Sequence, residues 1–183
     1  GDGAAFRARR GLHGPLLMYA GRGGLAKNIP LLLAYLREYH ARRGTPLRLI
    51  RTGRDPLELP PALRELVIDL GDVSAQERHD AYAAADVFVQ PSLHESFSIV
   101  LMEAWLQGTP ALVHAGCAVT RQFAEASGGG LHFRDFGEFA AALDMLLASA
   151  DLRAELGRRG RAFVIEHCRW EDVARRTLAA VLA

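Results

Sequence analysis

Lysine is almost absent: of the 22 basic residues in this 183-residue chain, Lys27 is the one lysine and the other 21 are arginine. Cysteine is nearly as scarce. Cys117 and Cys168 lie far apart and match no metal or redox spacing, which points to a reducing compartment and no structural metal. The seven histidines form no HxH or HxxxH pair. No DxD pair is present that would hold a divalent ion. An excess of either charge is missing too. A net charge of +1 excludes a broad basic face for nucleic acid, so any anion site has to be local. The longest apolar stretches, "IPLLLAYL" and "SIVLMEAWL", are too short to span a bilayer. Nothing has the pattern of a signal peptide, so the expected location is cytoplasmic.

What the chain does have is enough apolar residue, at 50%, to bury a sizeable core in one domain. Residues 1–14, "GDGAAFRARRGLHG", are rich in Gly and Arg without apolar periodicity and read as a linker. Short apolar runs then alternate with helical patterns. The runs are "PLLMYAG", "PLRLIRTG", "LVIDLGD", "DVFVQPS", "TPALVHAG" and "GGGLHF". Between them, a helical pattern from Lys27 carries Pro30 in its first turn and stops at Gly44. Ser74 and Glu77 form a capping box for the next. Others follow Glu95, lie near 119–126, and run from Asp135 to about 149. Two more helices are expected at 151–167 and 170–182.

The strands read as continuous apolar runs, the pattern of a parallel sheet covered on both faces, so the expected fold is an α/β, Rossmann-like doubly wound sheet of about six strands. A domain at 15–165 and a C-terminal helix at 166–183 complete this division. In such sheets ligands sit beyond the carboxyl ends of the strands, at helix N-termini. The loops to search are therefore "GRGGLAKN", "RTGRD", "GDVS", "PSLHES", "HAGCA" and "RDFGE".

In the first loop Gly21 and its neighbours allow close backbone approach, Arg22 can fork onto phosphate oxygens, and Lys27 supplies a compact charge. A cation is poorly placed at a helix start unless it meets an anion. The alternative is a surface lysine opening a helix. In the fourth loop, Glu95 precedes a helix start at which the amides of Ser98 and Ile99 point outward. Glu103 lies in an otherwise apolar helix, where a carboxylate needs a partner. Two ribose hydroxyls or an arginine would serve Glu103; a helix-terminal dipole contact is the alternative for Glu95. His94 and Cys117 are read as structural and inert. Arg158, Arg159 and Arg161 are read as a solvated helix face.

The stretch "ADVFVQPSLHESFSIVLMEAWLQGTPALV" resembles the E-x7-E region of family 4 glycosyltransferases, the retaining enzymes of the GT-B fold. "YAGRGGLAKNIPLLL" resembles that family's "GR…K-N" loop, and "LRAELGRRGRAFVIEHCRWEDVA" its C-terminal helices. The resemblance implies the nucleotide-sugar-binding half of a hexosyltransferase. Arg22 and Lys27 would hold the donor diphosphate, with Gly21 and the Ser98 and Ile99 amides beside them. Glu103 would hold ribose, Glu95 the transferred sugar, and Asp72 and Val73 the base, with Phe97 in the same donor loop. The substrate would be a nucleotide-diphosphate sugar, with no metal and no further cofactor. The resemblance also implies an N-terminal domain not contained in this chain, through which the enzyme could sit at the inner face of the membrane. A lipid-linked or polysaccharide acceptor fits that picture. The chain departs from the family in Ser98, where glycine is usual, and in "HAGCAVTRQ", where a glycine pair and Pro-Glu are usual. A non-catalytic nucleotide- or sugar-binding module and a nucleotide-sugar epimerase of the same fold are the other readings.

Overall fold

The computed structural model describes residues 1–182. Its centre is a six-stranded parallel sheet: β1 (Leu16–Ala20), β2 (Arg48–Thr52), β3 (Val67–Asp69), β4 (Val87–Gln90), β5 (Ala111–His114) and β6 (Gly130–Phe133). The spatial order is β3-β2-β1-β4-β5-β6, with every pairing parallel. The expected doubly wound α/β fold is the one that forms, and its order reverses between β1 and β4.

The eight α-helices of the described residues are α1 (Gly3–Arg9), α2 (Ile29–Arg43), α3 (Ala75–Ala84), α4 (Ile99–Leu106), α5 (Ala118–Ser127), α6 (Phe136–Ala148), α7 (Ala150–His167) and α8 (Trp170–Leu182). Alternation along β1 explains why the sheet must be covered twice. Leu17 and Tyr19 join a core with Ile29, Leu32 and Leu36 of α2 and Phe139 and Leu143 of α6. Leu16, Met18 and Ala20 face the other way, into a core with Tyr82 of α3, Leu101 and Trp105 of α4 and Val164 of α7. All five β1 residues are buried, so a polar side chain on either face would lose its water. No helix among the described residues is long and apolar enough to cross a membrane.

The amino-terminal segment differs from its expectation as a linker. Asp2 caps α1 by accepting from the Ala5 amide, and Phe6 is fully buried. Arg7 donates to the Ala84 carbonyl and pairs with Asp86, while Arg9 reaches Asp80 on α3. Two large apolar residues, Phe6 and Leu12, are too few to register as periodicity. The acids that hold these arginines lie more than seventy residues away. The expected boundary at 165 also falls inside α7, which runs unbroken to His167 before α8 begins.

Candidate donor-binding site

The strand order decides where chemistry is possible. Where the order reverses, the loops leaving two neighbouring strands diverge to opposite faces of the sheet and leave a crevice between them. Here those loops are 21–28, after β1, and 91–98, after β4. They carry Gly21, Arg22, Lys27, Glu95, Phe97 and Ser98, six of the ten site residues singled out from the sequence.

The β1 loop is pinned from below. The Tyr19 hydroxyl donates to the Arg22 carbonyl at 2.7 Å. Arg51, fully buried in β2, donates to the Gly21 carbonyl at 3.4 Å and pairs with Asp69 at 3.1 Å. Burial pushes the Tyr19 phenol up, against the nearby Arg51 cation, so it remains a donor at neutral pH. At Gly21 a side chain would run into the Tyr19 ring, and the backbone there has φ 151°, so glycine is required. Lys27 does not open α2 as its pattern suggested. It ends a short 3-10 turn, Leu25–Lys27, and Asn28, in the left-handed region at φ 56°, redirects the chain into the helix. The Asn28 side-chain amide donates to the Pro91 carbonyl at 3.0 Å, tying one loop to the other across the crevice.

This turn delivers Lys27 to Glu95. The ammonium hydrogen-bonds both carboxylate oxygens at 2.8 Å. The Glu95 side chain is only 10% exposed. Its burial works to raise the pKa, but hydrogen bonds from Lys27, Ser92 and Gln90 outweigh it and hold the carboxyl below its ordinary value. Glu95 stays charged in the neutral range. It precedes Ile99, the first residue of α4, by a full turn of chain and is not an acid of that helix's first turn. Arg22 is exposed and, among the described residues, its guanidinium forms no ion pair. Lys27, Gln90, Ser92, Glu95, Phe97, Ser98 and Ile99 line a cleft of about 320 Å³ with Tyr19 and Gly21. Phe97 is half-exposed at its rim, edge-on to Phe123 at 5.5 Å. The first residues of α4, Ile99 and Val100, line the same space, and a helix leaves its first amides without intrahelical acceptors.

A second hollow of about 200 Å³ adjoins the first through Ala20 and Gly21 and is walled by Gly53, Gly71, Asp72, Val73, Arg78 and Glu103. Glu103 has taken the arginine partner that was the alternative to ribose. Arg78 donates to it at 3.0 and 3.2 Å, and the buried Tyr82 hydroxyl adds a bond at 3.1 Å. Its carboxylate nevertheless stays on the wall of the hollow, with oxygen lone pairs beyond those two donors. Asp72 pairs with Arg54 at 3.2 Å, both largely exposed at the mouth.

The structure therefore brings Gly21, Lys27, Glu95, Phe97, Ser98 and Ile99 into one cleft, and Asp72, Val73 and Glu103 into the hollow beside it. Sequence reading passed over Tyr19, Arg51, Arg78, Gln90 and Ser92. An arginine near the carboxyl end of an apolar strand and a glutamine closing another were the visible signals. His94 is exposed, Cys117 is buried, and Arg158 and Arg159 clasp Glu155 on an exposed face of α7.

Comparison with known proteins agrees with this architecture. The D-inositol 3-phosphate glycosyltransferase of Frankia alni is 35% identical over 182 residues, an alignment covering 88% of this chain and 45% of that enzyme. An uncharacterised glycosyltransferase of Methanocaldococcus jannaschii is 27% identical over 169 residues, covering 89% of this chain and 43% of its own length. The chain thus spans less than half the length of these relatives. Among solved structures, Anabaena HepE in complex with UDP and glucose superposes with a TM-score of 0.83 at 17% identity, over all of this chain and 52% of HepE. Sucrose-phosphate synthase of Thermosynechococcus elongatus superposes with a TM-score of 0.76 at 26% identity, over 97% of this chain and 49% of that protein. The fold is that of one half of a GT-B glycosyltransferase. Residues 6–163 match the family model of the glycosyl transferases group 1, and the chain belongs to that family.

Proposed function

We propose that this cleft is the donor site of a retaining family 4 glycosyltransferase, binding a nucleoside-diphosphate hexose that the longer protein transfers to its acceptor. The observation that carries this reading is the Lys27–Glu95 pair, set across the strand-order reversal beside the start of α4. One cation and one carboxylate at that place match a ligand with an anionic end and a hydroxyl-bearing end. The nucleoside occupies the smaller hollow. Glu103 accepts from the ribose hydroxyls while Arg78 keeps it ionised, and the backbone at Asp72 and Val73 lies against the base. The diphosphate lies over Gly21, between Arg22, Lys27 and the Ser98 and Ile99 amides. The hexose reaches Glu95 and Phe97.

As the bond from the anomeric carbon to the diphosphate oxygen breaks, its electron pair stays with the diphosphate. Negative charge on that leaving group grows toward the transition state. Cations and helix amides fixed around it are worth more there than with the intact donor, and this difference lowers the barrier. The charge is met by protein cations and amides in this reading, without a metal or a further cofactor. Anabaena HepE, of like fold, is known in complex with UDP and glucose, which supports a nucleotide sugar as the ligand.

Calorimetric titration with UDP, GDP and ADP tests this. One of the three binds, and Lys27→Met weakens it about 10- to 100-fold, the range for losing hydrogen bonds from a charged group. Equal affinity in both proteins would remove Lys27 from the diphosphate and with it the proposed orientation of the donor.

A further inference from the structure

Gln90 closes β4 at the floor of the crevice, 2% exposed, a polar amide among apolar strand residues. Both its polar atoms are engaged. Nε2 donates to Glu95 Oε1 at 2.9 Å, and Oε1 accepts from the Ser98 hydroxyl at 2.8 Å. Ser98 is itself unusual. Only it and Asn28 are non-glycine residues with positive φ among the described residues, Ser98 at φ 77°. That region favours glycine, and a serine there carries a conformational cost. A serine before a helix ordinarily recovers such a cost by capping. Here no side-chain cap forms on α4; the hydroxyl turns inward to Gln90 instead. The serine side chain thus serves the glutamine, and the glutamine serves Glu95.

We propose that Gln90 and Ser98 are positioning residues for Glu95, a buried relay that keeps its carboxylate aimed at the transferred sugar when the donor diphosphate draws Lys27 away. This rests on the donor-site reading above. Lys27 holds both Glu95 oxygens, yet the same ammonium is the group a diphosphate would engage. Once Lys27 turns to phosphate, the carboxylate keeps the Gln90 amide, which cannot follow because Ser98 fixes its other end. A buried amide with both ends bonded has one orientation, and that orientation passes to Glu95.

Gln90→Leu removes the relay at nearly constant volume, and Ser98→Gly removes the hydroxyl while relieving the positive-φ backbone, a gain that offsets the hydrogen bond lost to Gln90. The readout is the affinity gained by adding the sugar, from matched titrations of the full-length protein with UDP and UDP-glucose, GDP and GDP-mannose, and ADP and ADP-glucose. Both variants should lose about tenfold of that gain, the share of one hydrogen bond to a charged group. A role confined to backbone conformation would leave the gain intact in Ser98→Gly, and that result overturns the relay. Failure of the unsubstituted protein to bind any of the six ligands would overturn the donor-site reading itself, and the relay with it.

Discussion

Lys27 and Glu95 neutralise one another, and Glu95 is the more deeply buried of the two. Lys27→Met leaves a carboxylate that is 10% exposed with only neutral donors, and should cost about 1–3 kcal/mol at pH 7, the usual effect of unpairing a buried charged group. Because the folded carboxyl titrates below its unfolded value, the stability it contributes is present above the ordinary carboxylate range and is lost as pH falls through its folded pKa. The gap in unfolding free energy between native and Lys27→Met should therefore shrink steadily as the medium is acidified. Urea unfolding at pH 7 and about pH 3 measures it, the lower value chosen to lie below the ordinary Glu pKa. A gap unchanged at low pH would mean that the lysine stem's packing, not its charge, supports the loop. The solitary lysine in an arginine-rich chain is legible in the sequence as a question; its answer is a bidentate contact 68 residues away.

The elements show where pattern suffices and where it does not. All six strands and the helices from Ala75 onward appear where apolar runs, capping residues and glycine stops place them, because each of those signals acts within a few residues. The α1 helix was invisible because its stability comes from Phe6 packing against a distant core and from arginines paired with Asp80 and Asp86. Close packing between α4 and α7 is a second long-range feature. A Cβ on Gly160 would enter the Trp105 ring, which is fully buried and donates its indole N–H to the Gly129 carbonyl at 2.8 Å. Gly160→Ala should destabilise the chain by about 1–3 kcal/mol, despite the better helix propensity of alanine, because the interior has no room to yield. Thermal unfolding decides: a variant as stable as native would mean the two helices can move apart freely.

Across the whole molecule, α8 stands apart: it buries none of its residues and exposes Trp170, Leu178, Val181 and Leu182. Ending the chain at Cys168 should lower the unfolding free energy by less than about 1 kcal/mol, as for other surface changes away from packed features. A larger loss in chemical denaturation would show that α8 supports the domain. Since the chain spans less than half the length of its relatives, binding and transfer are expected to separate. This chain should bind the nucleoside diphosphate, while transfer of the sugar should require the full-length protein, since an acceptor has to be held in line with the donor. Radiolabelled-sugar transfer by both forms measures this. Turnover by the shorter chain would place the acceptor site within these residues.

Sequence alone determined the alternation of strand and helix, the two-sided core, the loops beyond the carboxyl ends of the strands, and the spacing of Glu95 and Glu103, because each depends on side chains near one another along the backbone. Tertiary structure decided which loops become neighbours. Strand order is a choice among long-range pairings that no local pattern encodes, and placing β1 beside β4 is what joins Lys27 to Glu95 and Asn28 to Pro91. Folding also gave Glu103 the Arg78 side chain and supplied Gln90 with partners at both ends. Those contacts exist only once the helices have packed, since a side chain's partners follow from the direction in which its element faces the sheet.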